Sequence, residues 1–281
     1  MDCVSCGSSS FVKYVETSYL NLPIFRCQNC KIYVTGNSID EIKKAIAEQY
    51  SKKFWDHQYN YYKIDFSRKS DYTDIISHGK RRNFISQYLY LKPLIQNKKR
   101  ILEVGVGSGQ TIFWLDQMGY HVTGVEPDER NVTIINQKLK NGIVINTNIE
   151  DFAMEKRYEI IWVSHVLEHL AEPHIFLQKM KSRLEDDGIV FIEVPNCEHR
   201  QTLNNSIISP HVWHFSKESL INVCQKAGFE IIKCDTFRPA NIIEGALNKF
   251  LKKYVATRYP YYPRILTNSK KGRDLRIILS L

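Results

Sequence analysis

The sequence predicts an α/β fold: a mostly parallel sheet with helices on both faces, behind a small cysteine-rich module. Three observations predict it. From Arg100 onward, short β-like runs alternate with helical periods. Runs such as "YEIIWV" and "GIVFIEV" are continuously apolar, as strands buried on both faces are. Near the N-terminus, "CVSC" (Cys3, Cys6) and "CQNC" (Cys27, Cys30) form two knuckles about twenty residues apart. The chain has 281 residues, 43% hydrophobic and 25% charged, enough for one sizeable core plus an appendage, and no low-complexity tract indicates wholesale disorder.

Each element follows in order. Two CxxC knuckles at this spacing suit a tetrahedral four-cysteine zinc ribbon over residues 1–36, with the intervening segment forming a hairpin that brings the turns together. Four unrelated free thiols are the bland alternative. A module this small has little core of its own, so zinc would supply much of its folding energy. Residues 37–98 read as a helical, tyrosine-rich segment. Ser38 and Glu41 make a capping-box pattern, Tyr59, Tyr61 and Tyr62 fall in a loop suited to a lid, and a helix is expected from about Thr73 to Ile95. The core is expected over 99–240. "RILEV", "HVTGVE", "GIVIN", "YEIIWVS", "GIVFIEV" and "FEIIKCDTF" are its strands; "QTIFWLDQMG", "DERNVTIINQKLK", "IFLQKMKSRL" and "SKESLINVCQKAG" are its helices. Residues 241–281 form a basic segment whose terminal "RIILSL" is expected to return as a last, antiparallel strand.

Composition narrows the class of partner. "MDCVSCGSSS" lacks the basic-then-apolar pattern of a secretory signal, and no apolar run is long enough to span a bilayer, so a soluble, cytoplasmic protein with unpaired cysteines is expected. The formal net charge of +9 is concentrated: from Lys249 to Leu281 there are nine basic residues and one acid, Asp274. That predicts one basic face against something anionic, or simply a solvated basic stripe, rather than a nucleic-acid-binding body.

The strand "RILEV" opens into "GVGSGQ". Glycines at 105, 107 and 109 allow a ligand to approach the backbone at the carboxyl edge of the sheet, where open parallel sheets bind ligands. The spacing is GxGxG rather than GxGxxG, and Glu103 precedes the first glycine by two residues. A carboxylate there suits a cationic amino group better than a pyrophosphate. The next strand ends in "GVEPDE", placing Glu126 to bind ribose hydroxyls, with Pro127 beside it. "NTNIED" supplies Asn148 and Glu150 where an adenine would lie.

Taken together, Ile101 to Asp235 resembles the class I S-adenosylmethionine-dependent methyltransferases, whose fold is a Rossmann-like sheet. The resemblance implies that Glu103, Gly105, Gly107, Glu126, Pro127, Asn148 and Ile149 bind the cofactor. It also implies that Ser164 and His165 line the pocket, and that Arg81 or Arg82 holds the cofactor carboxylate.

"WVSHVLEHL" follows the fourth strand and carries His165, Glu168 and His169; "SPHVWHFSKESL" adds His211 and His214 after the fifth. Three roles stay open. The residues are structural, or His165, Glu168 and His169 hold a divalent ion, or a histidine is the general base. The metal role resembles the ExxEH pattern of ubiquinone-pathway O-methyltransferases and small-RNA 2′-O-methyltransferases, in which acid and histidine side chains hold magnesium. Here His165 replaces the first acid, which suits a softer ion. The base role has chemical support, because a sulfonium donor leaves the enzyme to align the transfer and accept a proton. Histidine titrates where such a base is useful. Ser216 is expected to cap the next helix, making Phe215 and Leu220 core and turning His211 and His214 to the cleft.

The cysteine module, "EVPN" and "HFS" together resemble enzymes of bacterial surface-polysaccharide and deoxysugar pathways. This implies O-methylation of a sugar or nucleotide-linked sugar, a small and anionic acceptor. An rRNA or tRNA methyltransferase with a zinc module on RNA is the alternative, although no "NPPY"-type motif follows the fourth strand. A non-enzymatic adaptor that binds the cofactor is the third. The sequence leaves the oligomeric state open.

Overall fold

In the computed structural model the described residues are 1–49, 83–152, 156–199, 209–239, 242–243, 264–267 and 272–281. The Arg81/Arg82, Tyr59, Tyr61 and Tyr62 expectations, and most of the basic segment, lie outside them.

The apolar runs pair as one eight-stranded sheet. It contains β4 (Arg100–Val104), β5 (His121–Glu126), β6 (Ile143–Asn146), β7 (Tyr158–Ser164), β8 (Leu184–Pro195), β10 (Glu230–Pro239), β11 (Arg264–Thr267) and β12 (Asp274–Ser280). Its order is β11-β10-β12-β8-β7-β4-β5-β6. The five strands β6-β5-β4-β7-β8 run parallel. The expected return strand is β12, which inserts antiparallel between β8 and β10. Helices α3 (Gln110–Gln117), α4 (Glu129–Asn136), α5 (Pro173–Ser182) and α6 (Lys217–Lys226) join these strands. Ser216 caps α6, accepting a bond from the Ser219 amide at 3.2 Å, and Phe215 and Leu220 are buried beside it, as expected.

Two further helices precede the sheet. Helix α1 (Ile39–Gln49) begins at Ser38, whose hydroxyl accepts the Glu41 amide at 3.2 Å. Helix α2 (Asn83–Leu91) passes into a short 3-10 turn, Lys92–Leu94, where Pro93 cannot donate to the α-helical ladder. The regular helix therefore ends before the expected Ile95.

The cysteine module is not the core-poor appendage that the sequence suggests. Its strands β1 (Phe11–Val15), β2 (Ile24–Cys27) and β3 (Tyr33–Thr35) continue into β9 (Trp213–His214), giving a four-stranded sheet of order β1-β2-β3-β9. Cys3, Cys27, Ile32 and Val34 lie in one buried cluster with Leu102, Val163, Trp213 and Phe215. The module shares its core with the main body because its third strand pairs with β9.

Candidate functional site

The glycine loop leaves β4 with Gly105 and Gly107 both at positive φ (71° and 56°), the left-handed region that favours glycine. A Cβ on Gly105 would lie 2.5 Å from Val166 Cγ2, whereas one on Gly107 would meet nothing within 4 Å. Gly105 therefore packs the loop against the turn that carries the histidines, and Gly107 faces open space. Behind the loop, Glu103 is buried and its Oε2 has no hydrogen-bond partner among the described residues. Burial lifts its pKa well above the usual carboxylate range. Such an orphaned carboxyl oxygen fits the amino group of S-adenosylmethionine.

Glu126 ends β5 and accepts the Gly107 amide at 2.7 Å and the Asp128 amide at 3.1 Å. Burial pushes its carboxyl up to about 7, against those two bonds. Asn146 braces the same turn by donating to the Glu126 and Pro127 carbonyls at 3.1 and 2.9 Å. Pro127 and Asn148 are exposed and Ile149 is buried.

The histidine cluster hangs from the ends of β7 and β8. His165 has φ 56°, an uncommon conformation for a residue with a Cβ. Its Nδ1 lies 3.2 Å from Glu168 Oε1 and its Nε2 lies 3.1 Å from Glu193 Oε1. Carboxylates only accept, so both ring nitrogens donate and the ring is an imidazolium. The side chain is 42% exposed, so partial desolvation opposes that charge only in part, and the bonds to Glu168 and Glu193 outweigh it and lift the pKa well above the ordinary histidine value. The same bond helps take Glu168 down to about 2, against the burial that would raise it. Glu193 is held in turn by buried Arg276, and by Gln87, whose amide donates to Glu193 Oε1 and Ser164 Oγ, each at 2.8 Å.

The other three histidines behave in the opposite way. His169 Nδ1 lies 3.0 Å from the Pro210 carbonyl, which only accepts, so the proton sits on Nδ1 and the lone pair on Nε2. Its ring meets that of His211 with centroids 4.8 Å apart, and His214 lies 6.2 Å beyond. Burial lowers the pKa of all three, His211 to about 4 and His214 to about 3, so they are neutral at pH 7. His214 is buried within β9 rather than open to the cleft as expected.

Among the described residues two separate sets of ligand atoms each draw together: Cys3, Cys6, Cys27 and Cys30 in one, and Glu168, His169 and His211 in the other, with the atoms of each set within 4.8 Å of one another. The sulfur pairs Cys3–Cys30 and Cys6–Cys27 stand 3.5 and 3.6 Å apart, close to the edge of a tetrahedron of thiolates around an ion such as zinc.

A family model described as a methyltransferase domain matches residues 76–233, more than half of the chain. The chain belongs to the methyltransferase domain family. It is an S-adenosylmethionine-dependent methyltransferase. Its similar curated proteins include a ubiquinone biosynthesis O-methyltransferase of Rickettsia prowazekii, 25% identical over 193 residues, covering 63% of this chain and 68% of that protein. The protein of the same name from Haemophilus ducreyi is 28% identical over 108 residues, 35% of this chain and 46% of that one. The methyltransferase thus spans less than half of some of these relatives. A SAM-dependent methyltransferase from Archaeoglobus fulgidus has the same fold, with TM-score 0.54 and 18% identity over 70% of this chain and 92% of the other. The plantazolicin methyltransferase BamL does too, with TM-score 0.55 and 14% identity over 86% and 98%.

The methyltransferase brings most of its sequence-predicted residues to one sheet edge. Gln87, Glu193, Arg276 and Thr35 were not among them. Nor is Arg276 part of a basic face: it is fully buried against Glu193. At Glu126, replacement by Ala should raise the Kd for S-adenosylmethionine roughly 10–100-fold, since a bond to a charged carboxylate contributes about 1.5–3 kcal/mol. With its carboxyl at about 7, wild-type affinity should weaken as pH falls from 8 to 6 and the acceptor-only form is lost. Calorimetric titration across that range checks both, and a flat profile would detach Glu126 from the ribose.

Proposed function

We propose that this methyltransferase O-methylates a small, polar, anionic acceptor, a sugar or nucleotide-linked sugar, with His169 and His211 serving the acceptor hydroxyl. The supporting observation is the neutral His169 ring, with its lone pair assigned to Nε2, on the turn that Gly105 packs against. When bound, S-adenosylmethionine supplies an electrophilic methyl group. His169 Nε2 would be the group that takes the acceptor's hydroxyl proton, with His211 against its ring. His165 has no lone pair to offer, so its role is positioning: it orients Glu168 and Ser164's neighbour Glu193. His214 supports the loop. Glu103 and Glu126 hold the cofactor amino group and ribose, with Gly105, Gly107, Pro127, Asn148, Ile149 and Ser164 around them. We assign zinc, as a structural ion, to the four cysteines.

A second reading has its own observation. Glu168 Oε2 is buried with no hydrogen-bond partner among the described residues, and it belongs to the Glu168–His169–His211 set. A divalent ion there would hold the acceptor oxygen directly, and the Pro210 carbonyl would orient His169 as backbone carbonyls orient metal-bound histidines. His211 takes the place in this set that was expected of His165.

Transfer of a labelled methyl group into a size-fractionated cell extract, with and without chelator, tests these readings. Label in nucleotide sugars supports the first, and loss of that label on chelation at an intact cysteine site supports the second. Label in RNA would make the protein an RNA methyltransferase. Cofactor binding with no label in any fraction would make it an adaptor.

A further inference from the structure

We propose that the cysteine module is a positioning part of the transfer site, acting through Thr35. The inference rests on the reading of His169 and His211 as the groups that serve the acceptor.

The loop from Ser209 to His214 lies between the cysteine module and the histidine turn, bonded to both. On the module side, the Thr35 amide donates to the Val212 carbonyl at 2.8 Å, and Val34 and Tyr33 pair with Trp213 and His214. On the other side, the Val212 amide donates to the Glu168 carbonyl at 2.8 Å, and His169 Nδ1 donates to the Pro210 carbonyl at 3.0 Å. One residue, Val212, thus links the module's last strand to the turn that carries Glu168 and His169.

Thr35 adds a second, chemical link. It is fully buried, and its hydroxyl lies 2.8 Å from the His211 carbonyl and 3.2 Å from His214 Nε2. A hydroxyl has one proton to give, and the carbonyl can only accept it. The contact with His214 must therefore run the other way, with Nε2–H donating to Thr35. The neutral His214 ring is fixed as its Nε2–H tautomer, and the His211 carbonyl is tied down one residue from Val212.

The cysteines bear directly on this strand. The Cys27 amide donates to the Ile32 carbonyl at 2.9 Å and the Lys31 amide to the Cys27 carbonyl at 3.2 Å, so the second knuckle turns straight into β3. Whatever closes the four-sulfur cluster sets where Thr35 stands.

The test uses the full-length protein labelled with 15N-histidine, with His214→Gln to assign the ring. Wild type should show His214 as the Nε2–H tautomer. Thr35→Val, which keeps the shape but not the hydroxyl, should lose that signature and, by releasing the His211 carbonyl and the loop that carries the His211 ring, lower methyl transfer roughly 10–100-fold, the range for losing an outer partner that positions a site residue. Affinity for S-adenosylmethionine should stay within about twofold, and Thr35→Ser should restore both signature and rate. A wild-type His214 protonated on Nδ1 would overturn the proposal whether or not any variant folds. So would a Thr35→Val protein with unchanged tautomer and rate. The ring spectra need no acceptor, so an extract that shows no transfer at all counts against the proposed function while the tautomer still decides the role of Thr35.

Discussion

Arg276→Met should cost about 3–5 kcal/mol of stability, the usual penalty for stranding one member of a buried ion pair. Arg276 and Glu193 are both fully buried, and the guanidinium also donates to Ser86 Oγ at 2.8 Å and lies 4.0 Å from the centre of the Phe237 ring. Without it, Glu193 keeps His165 and Gln87 but loses its permanent cation. Urea unfolding at pH 7 measures the loss. Adding Glu193→Leu should recover part of it, because two apolar residues leave less uncompensated charge than one carboxylate. The pH profile gives a sharper test. Arg276 and His165 hold the Glu193 carboxyl well below its ordinary value, against burial. A depressed carboxylate contributes stability that is present above its unfolded pKa and lost as pH falls below it. Wild-type stability should therefore fall more steeply below pH about 4.5 than that of the double variant. Equal slopes would mean the pair is not coupled to folding.

His169→Ala should lower methyl transfer by about 10²–10⁴, the range for losing a general base, with cofactor affinity within about twofold. His165→Gln should behave differently. It removes a doubly bonded cation rather than a base, so the loss should appear chiefly as lower thermal stability with a smaller loss of rate. At saturating cofactor the rate of the wild-type enzyme should hold from pH 8 through neutrality and fall only below the ordinary histidine range, since burial lowers the His169 pKa and keeps His211 neutral down to about 4. If His165→Gln were the more damaging to rate and His169→Ala nearly silent, the assignment of base and orienting cation would be reversed.

The sheet was legible because its central strands are largely apolar and alternate with amphipathic helices, which marks the identity of these elements along the chain before any contact is known. The cofactor edge was legible for a related reason: glycines at a strand end and acids at strand ends are local signals. The histidine cluster was legible only as a set. Which ring is charged depends on Glu193 and Glu168 facing His165 from two directions, on the Pro210 carbonyl facing His169 and on the Thr35 hydroxyl facing His214. No spacing in the chain encodes those approaches. Glu193 and Arg276 did leave a trace, each being a charged residue inside an otherwise apolar run, "IVFIEVP" and "LRIIL". Lone charges in such runs are almost never buried unless paired, so they point to each other once β8 and β12 are neighbours. The docking of the cysteine module was illegible, since β9 is only two residues long.

The pairing of β3 with β9 also sets an order of assembly. Thr35 meets its partners across 176 residues to His211 and 179 to His214. At ordinary rates of synthesis, about 5–20 residues per second, that separation is roughly 10–35 s of translation. The module, made before β9, waits that long for its fourth strand, with the edge of β3 unpaired and the faces of Val34 and Ile32 uncovered. Contacts this distant in the chain form late and slowly. The cysteine module is thus made before β9 but finished only with it, and the histidine loop is finished in the same step.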